Sequence, residues 1–167
     1  MITLPRQLFA CGFIVATAYG LVHAAGAQTA EAAGKAMMTK YANSDDTDAL
    51  LREPAVRAQL QKLLGPQLAT LQHNLDVRGS VDVIGGVLSI SGNAPHGGTE
   101  EEAVVCVAPI GPEVQAAIFS KGQTTVFASQ ARYDYLFRCI KDWITQVSSQ
   151  HLDRMQQPAN VRLAKPR

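Results

Sequence analysis

An alternation of apolar and polar residues that begins at Val77 constrains the fold of this chain more than any other feature. Val77, Val81 and Val83 alternate with polar residues, which is the period of a half-buried strand over residues 77–83. Further short apolar runs follow, separated by glycine or proline, at residues 87–91, 103–108, 113–119 and 124–128. Because short turns join neighbouring strands in antiparallel pairs, the pattern predicts one antiparallel sheet of about five short strands.

Helical patterns flank the predicted sheet. Residues 50–64 carry apolar side chains at helical spacing, and Gly65-Pro66 predicts the end of that helix and the start of a second short one. Residues 132–147 place Leu136, Cys139 and Trp143 on one face of a third helix. We therefore predict an α+β domain at residues 49–148, with two N-terminal helices and one C-terminal helix on one side of the sheet.

The segments outside this domain have different compositions. Arg6, an apolar run at residues 8–22 and the small residues Ala25-Gly26-Ala27 are typical of a secretory signal peptide at residues 1–27, cleaved before Gln28. This predicts a periplasmic protein with no membrane attachment after cleavage; a retained N-terminal anchor is the alternative. Residues 28–48 are polar and alanine-rich and predict a flexible linker. Residues 149–167 predict a loose polar tail.

Charge and motifs exclude several classes of function. The 167 residues include 15 basic and 14 acidic ones, without a cluster of Lys and Arg, so the sequence does not predict nucleic-acid binding. No hydrolase, zinc-protease or phosphate-loop motif is present, and His73, His96 and His151 are scattered along the chain. We therefore predict a protein that is not an enzyme and that holds neither a metal nor a cofactor.

Two cysteines, Cys106 and Cys139, remain after removal of the predicted signal peptide. Cys106 lies in a strand pattern and Cys139 in a helix pattern, so a disulfide between them would join the last helix to the sheet. Two buried free thiols, acting as small hydrophobic side chains, are the alternative. Sequence spacing does not decide between them.

The predicted functional element is the segment Asn93-Ala94-Pro95-His96-Gly97-Gly98, which we call the 93–98 loop. It joins two predicted strands, so it should lie at the end of the sheet, where loops commonly carry binding function. We expect it to bind a partner protein. Three alternatives are a solvent-exposed turn histidine, a hydrolase using His96 with Glu100 or Glu102, and an adaptor or envelope protein whose sheet edge or homodimer face is functional.

The 93–98 loop resembles a known family. Pro95-His96 is preceded by a helix with Pro54, Arg57 and Leu60, and is followed by the apolar run at residues 114–119. This arrangement is similar to the inhibitor of vertebrate lysozyme (Ivy) family of periplasmic proteins. That family carries a C-K-P-H-D-C loop, whose histidine enters the lysozyme cleft toward the catalytic carboxylates. The resemblance implies that the chain inhibits a peptidoglycan hydrolase through the loop.

The target implied by this resemblance is a lysozyme. A related interpretation, which also suits a neutral exported domain with few motifs, is an immunity protein against a secreted amidase or glycosidase, as in type VI secretion. The loop departs from the family pattern. Asn93 and Gly98 stand where the family has cysteines, Ala94 replaces lysine and Gly97 replaces aspartate. A loop without that small disulfide is less pre-organised, so binding must offset more ordering entropy.

Overall fold

The described residues form a seven-stranded sheet, with helices before its first strand and a further helix between its last two strands in sequence. The computed structural model describes residues 18–151 and 161–165, with the backbone alone for residues 18–27. In chain order the elements are α1 Ala18–Tyr41, α2 Thr47–Arg52, α3 Pro54–Leu64, α4 Leu68–His73, β1 Val77–Arg78, β2 Asp82–Ile84, β3 Val87–Asn93, β4 Glu101–Val107, β5 Val114–Ser120, β6 Gln123–Phe127, α5 Arg138–Gln150 and β7 Val161–Leu163. Short 3₁₀ turns lie at Gly65–Gln67, Gly98–Glu100 and Tyr133–Tyr135. No helix in these described ranges has the length and apolar character of a membrane span.

The sheet confirms the predicted α+β class. Its strand order is β1-β3-β4-β5-β6-β7, and β2 also pairs with β3. All pairs are antiparallel except β6 with β7, which is parallel. The predicted strand at residues 77–83 is divided into β1 and β2, because the Val81 backbone forms hydrogen bonds with the segment after α1. Its N–H donates to the Ser44 carbonyl and its own carbonyl accepts from the Asn43 N–H, both at 2.8 Å.

Strand β4 is buried on both faces and lies in the middle of the fold. Ala103, Val105 and Val107 pack in the cluster with α2, α3 and α4, whereas Val104 and Cys106 pack in the cluster with α5. The expectation that all helices lie on one side of the sheet is therefore wrong. A strand that is apolar on both faces needs a cover on each face, as in sheets enclosed between helix layers.

Proline and glycine set the boundaries of the helices that precede the sheet. The predicted helix at residues 50–64 is two helices, α2 and α3, because Glu53 adopts an extended conformation (ψ 129°) immediately before Pro54. Steric clash with the proline ring disfavours the helical region for the residue that precedes it. Gly65, at φ +52°, ends α3, and the 3₁₀ turn Gly65–Gln67, which contains Pro66, leads into α4, so the predicted boundary is confirmed.

The segment expected to be a flexible linker, residues 28–48, instead contains most of α1 and the start of α2. Tyr41 is fully buried, and its hydroxyl donates to Glu53 Oε1 at 2.5 Å. Met37 and Met38 pack partly against the same core. Gly34, farther back in α1, is also buried, next to Pro109 and Ile110. These isolated anchor points do not form the repeated apolar stripe that marks a packed helix in sequence. Residues 1–17 of the predicted signal peptide lie outside the described residues, and α1 spans the predicted cleavage position.

The segment expected to be a loose tail, residues 149–167, also has ordered parts. Helix α5 continues to Gln150, and His151 is buried. Strand β7 adds a parallel edge to β6, and the Ala164 N–H donates to the Val126 carbonyl at 2.8 Å. Residues 152–160 and 166–167 lie outside the described residues. A three-residue edge strand with a charged residue in it carries too weak a pattern to be recognised in sequence.

A disulfide joins Cys106 of β4 to Cys139 of α5 across 33 residues. Of the two alternatives that the sequence left open, the structure therefore contains the bonded one. Both cysteines are buried in the cluster between the sheet and α5. The bond therefore joins α5, which covers this face of the sheet, to the central strand β4.

We expect reduction of this disulfide to lower the free energy of unfolding by about 3–4 kcal/mol, because the cross-link restricts the unfolded chain between its two ends. Denaturant unfolding with and without reductant measures the difference. A Cys106→Ala, Cys139→Ala double variant is the control and should not respond to reductant. Equal midpoints for the oxidised and reduced wild-type protein would contradict the expectation.

Candidate functional site

The 93–98 loop connects β3 to β4 at one end of the sheet. Asn93 is the last residue of β3 and pairs with Glu102 of β4, so the loop begins directly from the ladder. Pro95 and His96 are exposed at its tip, whereas Ala94 is completely buried. The loop therefore has a fixed base and an accessible tip.

The backbone at the tip forms a tight turn over Ala94–Gly97. The Gly97 N–H donates to the Ala94 carbonyl at 3.0 Å, and His96 has a φ of +59°. Proline at the second position and a positive φ at the third are the features of a type II turn. The third position normally holds glycine or asparagine, so histidine there is held in a sparsely populated conformation. The turn therefore holds the His96 backbone in an uncommon conformation, with the side chain exposed.

Several hydrogen bonds hold the loop in the absence of the family's small disulfide. The Ala94 N–H donates to the Glu101 carbonyl at 2.9 Å, and the Asn93 side chain donates to the Ala94 carbonyl at 3.0 Å. After the turn, the Glu100 N–H donates to the Gly97 carbonyl at 3.0 Å. Asn93 stands where the family pattern has a cysteine, and it contributes a local bond in that place.

The end of α5 also contacts the segment that follows the loop. His151 Nε2 lies 2.7 Å from the Thr99 carbonyl oxygen. The His151 ring packs against Phe119 with its centroid 4.5 Å away, and the residue is 5% exposed. His151 is a residue that the sequence analysis missed, because it was assigned to the polar tail and belongs to no motif.

The three glutamates after the loop have different surroundings. Glu100 is exposed, and Glu101 lies on the α4 side with its carboxylate 4.0 Å from His73 Nε2. Glu102 lies on the α5 side and is only 8% exposed. Its Oε1 has no hydrogen-bond partner within the described part of the chain. Burial raises the pKa of the Glu102 carboxyl, and nearby His151 partly opposes that shift.

These positions do not assemble an acid–base pair around His96. The His96 side chain makes no hydrogen bond or ion pair with the described residues, and the buried Glu102 interacts with His151 instead. A general base requires a partner within hydrogen-bond reach or through one water. Over residues 28–151 and 161–165, no group of three or more His, Cys, Asp or Glu side chains could hold a metal ion.

Comparison with known proteins identifies the family of this chain. The family model described as inhibitor of vertebrate lysozyme (Ivy) matches residues 55–156. The chain belongs to the Ivy family. The match contains the 93–98 loop, the disulfide and His151. Neither the curated proteins nor the solved structures yielded a match.

Membership of the Ivy family establishes the coarse function. Ivy proteins are non-enzymatic inhibitors, so this chain is an enzyme inhibitor and the alternative of a hydrolase using His96 is wrong. The family binds lysozyme, which is a cell-wall hydrolase, and its members are periplasmic. The family does not by itself assign the contact residues of this chain.

The strained turn predicts different effects of two substitutions on the free energy of unfolding. We expect His96→Gly to leave the free energy of unfolding within about 1 kcal/mol of the wild type, because glycine adopts positive φ without steric cost. We expect His96→Val to lower it by about 1–2 kcal/mol, because a β-branched residue at positive φ is disfavoured. Denaturant unfolding measures both. If the valine variant is as stable as the glycine variant, His96 is not held at positive φ.

The buried carboxylate predicts a pH-dependent stability difference. The pKa of Glu102 is higher in the folded than in the unfolded state. Ionisation of Glu102 therefore lowers the free energy of unfolding as pH rises from the unfolded-state pKa to the folded-state pKa, and the full loss remains at higher pH. We therefore expect Glu102→Gln to stabilise the fold at neutral pH by about 1 kcal/mol. The difference should vanish below the ordinary glutamate pKa. A variant that is less stable at neutral pH would contradict this account.

Proposed function

We propose that this protein is a periplasmic inhibitor of a lysozyme-type peptidoglycan hydrolase and that the 93–98 loop enters the hydrolase cleft. The observation that carries the proposal is the geometry of His96, an exposed imidazole at the tip of a turn whose base is buried and hydrogen-bonded. Loops held on a rigid sheet are suited to insertion into a concave site. The Ivy match supports a lysozyme as the target.

The chemistry of the target explains why an imidazole would suit this position. Glycoside hydrolases of this kind use two carboxyl groups on either side of the scissile bond, one as acid and one as nucleophile or base. An imidazole can donate a hydrogen bond to one carboxylate, and in its protonated form it also supplies a positive charge. A histidine between the carboxyls would occupy the substrate position. We therefore expect competitive inhibition without chemical change in either protein.

The pre-formed turn would lower the cost of binding. A loop that is ordered before association loses less conformational entropy when it is immobilised. In this chain the Asn93 and Ala94 hydrogen bonds and the His151–Thr99 contact provide the order that a disulfide provides in the family pattern. Export by the predicted signal peptide would bring the protein to the compartment where peptidoglycan hydrolases act.

We expect His96→Gly to weaken binding to a vertebrate lysozyme by about 2 kcal/mol or more, which is about 30-fold in Kd, because a central contact residue carries a large share of the binding energy. Glycine is the informative replacement, since it removes the side chain and retains the turn. Calorimetry gives Kd, and lysis of a peptidoglycan suspension gives the inhibition constant.

His73→Gln is the matched control for this experiment. His73 is an exposed histidine at the end of α4, outside the 93–98 loop, and the substitution should change Kd by less than about twofold. Equal affinity of wild type and His96→Gly would show that the loop assignment is wrong. A secreted amidase assayed in parallel separates the immunity-protein alternative, because only the true target should be inhibited.

A further inference from the structure

A groove of about 630 Å³ runs beside the base of the 93–98 loop. One wall is formed by Asn93, Gly98 and Thr99 of the loop region, and the other by Trp143 and the amide side chains of α5. The groove is therefore continuous with the segment proposed to contact the hydrolase. Any protein that covers the loop tip approaches this groove as well.

Glu102 gives the groove its unusual chemistry. The residue lines the groove although it is more than nine-tenths buried, and its Oε1 has no hydrogen-bond partner among the described residues. A buried carboxylate without a donor is costly, and native structures seldom retain one without a reason. His151 acts on it electrostatically, but burial is the larger influence and still raises the Glu102 pKa.

The basic residue among those that line the groove cannot serve as the missing partner. The Arg78 guanidinium makes an ion pair with Asp48, donates through Nε to Thr47 Oγ1 at 2.9 Å, and donates through Nη1 to the Leu75 carbonyl at 2.5 Å. Its donors are directed toward α2 and the chain before β1. Glu102 is thus the groove's charged residue without an ion pair in the described structure.

We propose that this groove receives a lysine or arginine side chain of the bound hydrolase and that Glu102 pairs with its charge. A cationic head group supplies both the counter-charge and the hydrogen-bond donors that Oε1 lacks. The side-chain oxygens of Gln146 and Asn93, which also line the groove, are further acceptors for such a group. Glu100, exposed two residues before Glu102 in the chain, adds to the negative potential that attracts a basic partner.

The inference rests on the proposed function and adds a second contact to it. His96 would act on the catalytic carboxyls of the hydrolase, and Glu102 would bind a basic residue at the rim of the same cleft. The pairing also gives the free protein's buried carboxylate a role. Burial of the unpaired Glu102 carboxyl lowers the stability of the free inhibitor, and pairing with the cation would offset this cost when the complex forms.

The test compares Kd and dissociation rate of four proteins with a vertebrate lysozyme: wild type, Glu102→Gln, Glu102→Asp and Glu100→Gln. Glu102→Gln keeps the shape and removes the charge, and we expect it to raise Kd at least about tenfold, mainly through faster dissociation. Glu102→Asp keeps the charge and should recover part of the affinity. Glu100→Gln makes the same charge change at an exposed neighbour and should alter Kd less than about threefold.

The outcomes separate the two proposals. If His96→Gly weakens binding and Glu102→Gln binds as tightly as wild type, the groove inference is overturned and the loop assignment stands. If Glu102→Gln and Glu100→Gln weaken binding equally, and high salt abolishes both effects, the groove has no specific site and only a diffuse acidic field acts. If the wild type does not bind the lysozyme, both proposals are overturned. Thermal unfolding confirms that each variant is folded.

Discussion

The rest of the structure depends on the two-sided burial of β4. Its side chains alternate between the core beneath α2–α4 and the core beneath α5, so neither helix layer can be removed without exposing the strand. The disulfide at Cys106 joins one of these layers to it covalently. Strand β4 begins directly after the 93–98 loop and its 3₁₀ turn. The strand that is packed on both faces therefore fixes the position of the 93–98 loop.

The proposed site combines strain and burial at the same end of β4. His96 is held at positive φ, and the carboxyl group of Glu102, six residues later, is held in a poorly solvated position. Each feature is unfavourable in the free protein, and each is maintained by the packing around it. Ala94 provides that support through its hydrogen bonds at the base of the loop, and His151 through its contact with the Thr99 carbonyl. Features of this kind concentrate where a protein meets a partner.

Much of the fold was accessible from the sequence, and the errors have physical causes. The α+β class, the strands at residues 87–128 and the glycine stop at Gly65 follow from local periodicity and turn chemistry. Tyr41 and β7 were missed because each joins the core through a few long-range contacts, which leave no periodic pattern. The split at Glu53 follows from a local rule, the restriction imposed by Pro54, which the helical stripe across it concealed.

By itself, the sequence determined the alternating strands and the exposed Pro95-His96 turn, because these depend on neighbours within a few residues, and it determined the family resemblance, because that depends on the order of such local elements along the chain. The tertiary structure alone decided that the helices cover both faces, that Cys106 meets Cys139, and that Glu102 lies buried beside His151 near the loop. The disulfide joins residues 33 positions apart, and the contact of His151 with Thr99 joins residues 52 positions apart. Such contacts arise from packing, and no local pattern encodes them.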